Sequence, residues 1–292
     1  MRLASYVHKG RPTFGVVVGD GVFNLESRTG CGSLRELLAR GDLPDFGKLG
    51  KQPDGFLGRV ELLPPIPDPP HFYCIGVNYA DHLAEVQKAG ITRVAAAYPP
   101  VFMRYPESYV AHDQRLVMPG VSERFDYEAE LAVVIGKGGR HIDPATALEH
   151  VAGYTIFNDG SIRDWQFHTQ QVGPGKNFFA TGALGPWIVT PDEIGDANSL
   201  KIELRLNGRT LQSGNTRDLI FGIPQLISYI SEFMPLVPGD LIATGTPAGV
   251  GFSRKPPIFM KAGDICEIEI QGIGTLRNVV AAEPKREHWA AQ

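Results

Sequence analysis

A run of prolines between residues 64 and 70, in the segment LLPPIPDPPHFYCIG, constrains the fold of this chain more than any other feature. Proline lacks the backbone N–H that helices and sheets need, so this segment can be neither a helix nor a central strand. We interpret it as an extended linker. It predicts a small N-terminal β-rich domain over residues 1–68 and a larger domain over residues 69–292.

Short apolar runs separated by turn residues predict mostly β structure on both sides of the linker. The 34 Gly and 23 Pro supply turns, and residues 1–26 have the pattern of a β-meander. Asn207-Gly208 is typical of a hairpin turn. The fold class is therefore mostly β (α+β). The few helices we expect are one over residues 33–39 capped by Ser33, one that Asn78 caps and Gly90 ends, and one over residues 222–233, with a loop over residues 92–100.

The composition argues against several classes of partner. The net charge of −4 and the pI of about 6.1 indicate neither a nucleic-acid partner nor a membrane partner. No apolar run approaches the roughly 20 residues that span a bilayer, and the first residues do not resemble a signal peptide. The three cysteines have no metal-knuckle spacing and are typical of reduced thiols. We therefore expect a cytoplasmic protein.

The most informative local pattern is Asp126-Tyr-Glu-Ala-Glu130, which continues into the apolar run LAVVI. Side chains two apart on a strand share a face, so Glu128 and Glu130 project together. Two carboxylates on a buried strand repel each other, and a hard divalent cation resolves that conflict. The alternative is an edge strand with ordinary surface charges, and the pattern alone does not decide between the two.

A third carboxylate strengthens the metal interpretation. Asp159 ends the apolar strand GYTIFN at a turn, and strand ends commonly display functional groups. With Glu128 and Glu130 it would supply three oxygen ligands, leaving room for water and substrate around Mg²⁺. Taken alone, Asp159 is more typical of a turn. Arg163 and Gln166 follow it with the spacing of one face of a helical turn.

Two further features have the residue types of a catalytic site. His82 and Glu85 lie three apart on the helix after Asn78, which suits a general base oriented by a carboxylate but also an ordinary surface pair. Lys176 stands among glycines, which is usual for a solvated loop. The Gly-rich segment over residues 244–251 lacks the ending of a phosphate-binding loop, although its backbone N–H groups could hold a carboxylate or an oxyanion.

Five segments in order resemble the motifs of the fumarylacetoacetate hydrolase superfamily, in its acylpyruvate hydrolase and hydroxymuconate isomerase-like branch. They are GVNYADHLAE, DYEAELAVVIGKGGR, GYTIFNDGSIRDWQ, LVPGDLIATGTPAGVG and GDICEIEIQGIGTLRN, and they span about residues 70–280. The resemblance implies a catalytic domain of stacked mixed β-sheets in a roll with few helices. It also implies a homodimer and a small α-keto acid substrate.

The resemblance assigns roles residue by residue. It implies that Glu128, Glu130 and Asp159 bind Mg²⁺ or Mn²⁺, with Ca²⁺ as a substitute in crystals. The other implied roles are catalysis by His82, Glu85 and Lys176, and substrate binding by Arg104, Arg163, Gln166 and Thr246. The family often has lysine where this chain has Arg104, which puts the substrate in question more than the metal.

The implied reaction is metal-dependent hydrolysis of a C–C bond in a 2,4-diketo acid, of the acylpyruvate or fumarylpyruvate type, in the catabolism of aromatic or related compounds. His82 would take a proton from water, and pyruvate would leave as a metal-bound enolate. The same enolate serves a 5-carboxymethyl-2-hydroxymuconate-type isomerase, an oxaloacetate decarboxylase and a 2-keto-pentenoate hydratase, which remain alternatives. A catalytically silent metal-binding relative is the non-enzyme alternative.

Overall fold

Strands dominate the fold, as the sequence predicts. The computed structural model describes residues 1–41, 50, 52–90 and 96–284. The first part of the predicted loop over residues 92–100 therefore lies outside the described residues. The strands are β1 (Arg2–His8), β2 (Arg11–Val18), β3 (Gly21–Asn24), β4 (Gly55–Phe56), β5 (Glu61–Leu62), β6 (Phe72–Ile75), β7 (Val101–Met103), β8 (Tyr109–Val110), β9 (Arg115–Met118), β10 (Phe125–Asp126), β11 (Ala129–Ile135), β12 (Val151–Asn158), β13 (Ser161–Ile162), β14 (Gly182–Val189), β15 (Lys201–Leu206), β16 (Arg209–Asn215), β17 (Leu241–Ala243), β18 (Ile265–Ile270) and β19 (Gly274–Ala282).

The three predicted helices are present as the second, third and seventh helices of the chain, and the others are single turns of four residues. Ser33 caps the second helix by accepting a hydrogen bond from the Glu36 amide, and Asn207-Gly208 joins β15 to β16 with positive φ at both residues. The helices are α1 (Glu26–Thr29), α2 (Leu34–Arg40), α3 (Ala80–Lys88), α4 (Arg163–Gln166), α5 (Gly173–Lys176), α6 (Pro191–Ile194) and α7 (Ile223–Phe233), with 3₁₀ turns at Leu57–Arg59, Pro106–Ser108, Ala147–His150, Ala197–Ser199 and Thr216–Asp218.

A 12-stranded mixed sheet forms the centre of the molecule. Its order is β4-β3-β2-β1-β14-β12-β11-β17-β6-β7, with β5 added to β1 and β8 added to β14. Most neighbours are antiparallel, but β17 with β6 and β14 with β8 are parallel pairs. A five-stranded sheet, in the order β16-β15-β18-β19-β9, and the pair β10-β13 complete the fold. The stacked mixed sheets expected for the family are confirmed.

Strand β11 is buried on both faces. Leu131, Val133 and Ile135 pack in a core that includes the five-stranded sheet and α7. Ala132 and Val134 face a second core that includes α2. This double burial explains why the strand is a continuous apolar run rather than an alternating one. It also places the carboxylates that precede the run at a buried end of the sheet.

The N-terminal strands continue the central sheet. Strand β1 pairs with β14 in the registers Arg2↔Val189 and Leu3↔Ile188. The segment over residues 64–70 contains neither helix nor strand, in agreement with its prolines. The division into domains at residue 68 stays a prediction. In the part of the chain that the structure describes, no helix has the length and hydrophobicity that crossing a bilayer requires.

Candidate functional site

Three carboxylates meet where β11 begins and β12 ends. Antiparallel pairing sets Ala129 opposite Asn158, and the Asp159 amide donates to the Glu128 carbonyl at 2.9 Å. Carboxylate oxygens of Glu128, Glu130 and Asp159 all lie within 4.8 Å of one another. All three residues are at most 5% exposed. The surface-strand alternative is therefore wrong for the two glutamates, and the three predicted ligands do come together.

Buried cations contact this cluster, but the three carboxylates do not have the same number of cationic partners. Lys176 Nζ lies 2.5 Å from Glu128 Oε2 and 2.5 Å from Asp159 Oδ2. Arg163 Nη2 donates to Glu128 Oε1 at 2.6 Å. Among the described residues no cation pairs with Glu130, whose Oε2 accepts a hydrogen bond from the Gly245 amide at 3.0 Å.

The unequal pairing separates the two glutamates electrostatically. Burial alone would raise the pKa of Glu128, but the charges of Arg163 and Lys176 outweigh it and hold that pKa below its usual value. Burial raises the pKa of Glu130, and the charges of Asp159 and Glu128 raise it further. Glu130 therefore resists ionisation unless a further positive charge is present.

The donor set fits a hard divalent cation. Together with Asp126, the three clustered carboxyl groups make four buried acidic groups, against the three buried cations Arg104, Arg163 and Lys176. All-oxygen donors are what Mg²⁺ and Mn²⁺ prefer, and three protein ligands leave coordination positions for water and substrate. The residues that would hold the ion are those predicted from the sequence.

Arg104 lies behind Asp159 and does not line the cavity described below. It is 2% exposed, and its five N–H groups all have acceptors within the protein. They donate to Asp159 Oδ1 (2.7 Å), Gly160 O (3.0 Å), Ser108 Oγ (3.0 Å), Ser108 O (2.7 Å) and Thr181 Oγ1 (3.2 Å). A guanidinium with no spare donor cannot bind substrate. The prediction that Arg104 binds substrate is therefore not supported by this geometry, which gives Arg104 the position of a support for Asp159.

Arg163 joins the cluster to a further buried carboxylate, that of Asp126. Its Nε donates to Asp126 Oδ2 at 2.7 Å, and its Nη1 donates to Gln166 Oε1 at 2.9 Å. The predicted shared face of Arg163 and Gln166 on α4 is confirmed. Asp126 precedes Glu128 by two positions, so strand alternation could have identified it.

His82 and Glu85 form a contact on α3. His82 Nδ1 lies 3.1 Å from Glu85 Oε2, and His82 is 4% exposed. The ordinary surface pair is therefore wrong for His82, while Glu85 is partly exposed. Burial would raise the pKa of Glu85, but hydrogen bonds from His82, Ser253 and the Gly249 amide lower it, which keeps the carboxylate charged. With Nδ1 engaged, Nε2 is the imidazole nitrogen left for chemistry.

The Gly-rich segment uses its backbone N–H groups on the protein's own carboxylates. The pairs are Gly245 N with Glu130 Oε2 (3.0 Å), Ala248 N with Asp81 Oδ2 (3.4 Å), Gly249 N with Glu85 Oε1 (2.9 Å) and Gly251 N with Asp126 Oδ1 (2.7 Å), and just after the segment Phe252 N pairs with Asp126 Oδ2 (3.0 Å). A Cβ on Gly251 would lie 1.8 Å from the Ile258 carbonyl, so glycine is required there. These groups are not available to a substrate.

Thr246 remains the member of this segment that faces the cavity. Its Oγ1 accepts a hydrogen bond from Gln212 Nε2 at 2.8 Å, so its hydroxyl hydrogen can donate to a ligand. Gln212 Oε1 in turn accepts from the Ala129 amide, next to the cluster. Gln212 is far from the motifs in sequence, and no local pattern identified it.

Asn78 does not have its predicted role as a helix cap. Tyr79 is the N-cap of α3 and makes no side-chain cap. The Asn78 amide instead donates to Phe221 O and Thr244 O, at 3.0 and 2.8 Å. Asn78 therefore ties the start of α3 to the Gly-rich segment.

One cavity of about 950 Å³ brings most of the predicted residues together. Its lining includes the groups His82, Glu128, Glu130, Asp159, Arg163, Gln166, Lys176 and Thr246. Glu85 stands behind His82, and Arg104 stands behind Asp159. Lys176 lies at the end of α5 and is buried rather than solvated, so its loop interpretation is wrong.

A protein-family model described as fumarylacetoacetate hydrolase, C-terminal, matches residues 71–281. A mitochondrial oxaloacetate tautomerase of Homo sapiens is 43% identical over 224 residues, which cover 76% of this chain and 70% of that one. An oxaloacetate tautomerase of Bacillus subtilis is 41% identical over 273 residues, which cover 89% of each chain.

The solved structures agree with this match. Fumarylacetoacetate hydrolase from Exiguobacterium antarcticum superimposes with a TM-score of 0.83 at 35% identity, over 97% of this chain and 100% of that one. Because both the sequence match and the fold match include the five motifs, the resemblance drawn from them is confirmed.

Proposed function

Because the chain belongs to the fumarylacetoacetate hydrolase family, we propose that it interconverts the enol and keto forms of a small 2-keto acid of the oxaloacetate type. The names of its curated relatives support this choice of reaction. The observation that carries the proposal is His82, which is buried, paired with Glu85 and part of the lining of the same cavity as three clustered carboxylates. This arrangement joins a proton carrier to a cation site.

Glu128, Glu130 and Asp159 are the residues that would hold Mg²⁺ or Mn²⁺ in this proposal. A divalent cation bound there would supply a Lewis acid that stabilises negative charge on the oxygens of the keto acid. Arg104 keeps Asp159 oriented, and Gly245 does the same for Glu130. Thr246 would donate its hydroxyl hydrogen to the substrate carboxylate.

Proton transfer would run through His82. In ketonisation the C2 hydroxyl of the enol loses one proton and C3 gains one, so atoms and charge balance. Nε2 of His82 carries the proton, because Nδ1 is held by Glu85 at 3.1 Å. The charged Glu85 stabilises the imidazolium that forms between the two transfers.

Hydrolysis of an acylpyruvate remains a second candidate. The cavity volume of about 950 Å³ favours it, since this exceeds what a four-carbon keto acid needs. Nε2 of His82 would then take a proton from water, and the hydroxide would add to the distal carbonyl, with Lys176 beside the developing oxyanion. Cleavage of the C–C bond gives a carboxylic acid and the enolate of pyruvate, which regains a proton.

A substrate panel separates these reactions. Enol-oxaloacetate, acetylpyruvate, a hydroxymuconate and a 2-keto-pentenoate are offered to the protein with Mn²⁺ and after chelation with EDTA. The proposal predicts metal-dependent loss of the ultraviolet absorbance of enol-oxaloacetate, without release of carbon dioxide. Cleavage of acetylpyruvate at a higher kcat/KM would favour the second candidate. No turnover of any compound would refute both and favour the catalytically silent relative.

A further inference from the structure

The charged groups that line the cavity are all at its reacting centre. Among lining residues in the part of the chain that the structure describes, the ionisable side chains besides the tyrosine are His82, Glu128, Glu130, Asp159, Arg163 and Lys176. Of these, only Arg163 and Lys176 are permanent cations. Each has already paired with carboxylates of the protein.

Aromatic side chains begin directly beyond these two cations. The ring of Phe102 lies 5.3 Å from Lys176 Nζ, and the ring of Phe252 lies 4.6 Å from Arg163 Cζ. Phe167 packs edge-on against Phe252, with ring centroids 6.1 Å apart. The lining of the cavity therefore changes from charged to apolar side chains immediately next to Lys176 and Arg163.

The apolar wall continues to the mouth of the cavity. Phe167 is 49% exposed, Tyr105 is 64% exposed and Met103 is 37% exposed, and all three line the cavity. Large apolar side chains that stand together in solvent commonly mark a binding surface. Neutral amides, such as those of Gln170 and Gln171, make up most of the polar remainder.

We propose that the cavity takes a 2-keto acid with its charge at the centre and an uncharged, apolar tail along the wall formed by Phe102, Phe252 and Phe167. A carboxylate at the end of such a tail would lose water without gaining a counter-charge from the described lining residues, which disfavours binding. The two carboxylates of oxaloacetate would both remain at the centre. The class that is disfavoured is the long dicarboxylate, such as a carboxymethyl-hydroxymuconate. This inference rests on the proposed function, because the keto-acid head sets where the tail lies.

The test compares two ligands that differ at the far end. Butanoylpyruvate ends in a methyl group, whereas succinylpyruvate has a carboxylate in the same place. Binding is measured by calorimetry with Mn²⁺ in the His82→Asn variant, which protects both compounds from turnover. We expect butanoylpyruvate to bind at least about tenfold more tightly. Equal or tighter binding of succinylpyruvate would overturn the inference.

A charge introduced at the mouth provides a second test. Met103→Lys places a cation on the exposed end of the apolar wall, and Met103→Gln is the uncharged control. The lysine variant should bind succinylpyruvate about tenfold more tightly than the glutamine variant does, because the tail carboxylate gains a partner. Identical affinities of the two variants would contradict the placement of the tail.

The outcomes separate this inference from the proposed function. A preference for butanoylpyruvate, combined with no turnover of any keto acid by the wild-type protein, would refute the proposed function and support the tail site. Turnover of enol-oxaloacetate without a preference for butanoylpyruvate would support the proposed function and refute the tail site. Failure of both ligands to bind in the presence of Mn²⁺ would overturn the tail site, and turnover of enol-oxaloacetate by the wild-type protein would then decide the proposed function separately.

Discussion

Arg104 donates to Oδ1 of Asp159 at 2.7 Å, whereas Lys176 contacts Oδ2, the other oxygen of that carboxylate. The other four N–H groups of the guanidinium bind protein oxygens of Gly160, Ser108 and Thr181. A proposed metal ligand is thus held by an arginine that has no donor left for anything else. Its planar fork is what allows one side chain to reach so many acceptors.

The variant Arg104→Lys should weaken Mn²⁺ binding about 10–100-fold, because lysine cannot satisfy these acceptors and Asp159 loses its orientation. Calorimetric titration of the metal-free protein measures the affinity directly. Arg209→Lys, at an exposed position of β16, is the matched control and should bind Mn²⁺ like wild type. An unchanged affinity in Arg104→Lys would show that Asp159 does not need this support.

The variant Glu130→Gln should stabilise the metal-free protein and abolish its response to metal. Glu130 is buried without a cation among the described residues, and the charges of Asp159 and Glu128 oppose its ionisation. Removing that repulsion should raise Tm by about 2 °C for each ~1 kcal/mol gained. Wild type should instead gain about 2.7 kcal/mol at Mn²⁺ concentrations near 100 times Kd.

Differential scanning calorimetry of Glu130→Gln and of wild type, each with and without Mn²⁺, tests both expectations. Glu107→Gln, at an exposed position, is the control and should retain the metal-dependent rise in Tm. If Glu130→Gln still gained stability from Mn²⁺ as wild type does, Glu130 would not be a ligand.

The variant His82→Asn should lower kcat by about 10²–10⁴-fold while leaving Mn²⁺ affinity nearly unchanged, because His82 moves protons but does not belong to the carboxylate cluster. Steady-state kinetics and metal titration on the same sample give both values. A parallel loss of metal affinity would mean that His82 is a ligand and that the division of roles is wrong.

The variant Ser253→Ala should shift the acid limb of the pH–rate profile to higher pH. Against burial, hydrogen bonds from His82, Ser253 and Gly249 lower the pKa of Glu85. A lowered pKa contributes stability that is present above the usual glutamate pKa and is lost as pH falls through the folded value. Without the 2.6 Å hydrogen bond from Ser253 Oγ, the pKa of Glu85 rises. Glu85 then becomes protonated at a higher pH, and the rate falls at that higher pH. Ser213→Ala, at an exposed position, is the control. A profile identical to wild type would contradict the role of Ser253.

The metal cluster could be predicted because its geometry is local. Alternation along β11 aligns Glu128 with Glu130, and pairing with β12 brings Asp159 beside them. The spacing of His82 and Glu85 on one helical turn is equally local. Residue types and spacing were sufficient to select these residues as candidates. They left the surface alternatives open, and the individual roles depended on the family resemblance.

The supporting contacts could not be predicted because they join segments far apart in sequence. Arg104 meets Asp159 only after β7 and β12 enter the same sheet, and Gln212 reaches Thr246 from the hairpin β15–β16. The sequence allows the Gly-rich segment to hold a carboxylate or an oxyanion with its N–H groups, and in the structure its amides bind the protein's own carboxylates Glu85, Asp126 and Glu130. The homodimer stays a prediction, which light scattering of the purified protein would test.

The central claim is that Glu128, Glu130 and Asp159 hold a divalent cation beside His82. Diffraction from a crystal grown with Mn²⁺, measured near the manganese absorption edge, tests it most directly. The account predicts an anomalous peak bonded to one oxygen of each carboxylate, at the distances typical of oxygen ligands. A crystal that contains Mn²⁺ only elsewhere, with these three carboxylates unbound, would contradict it.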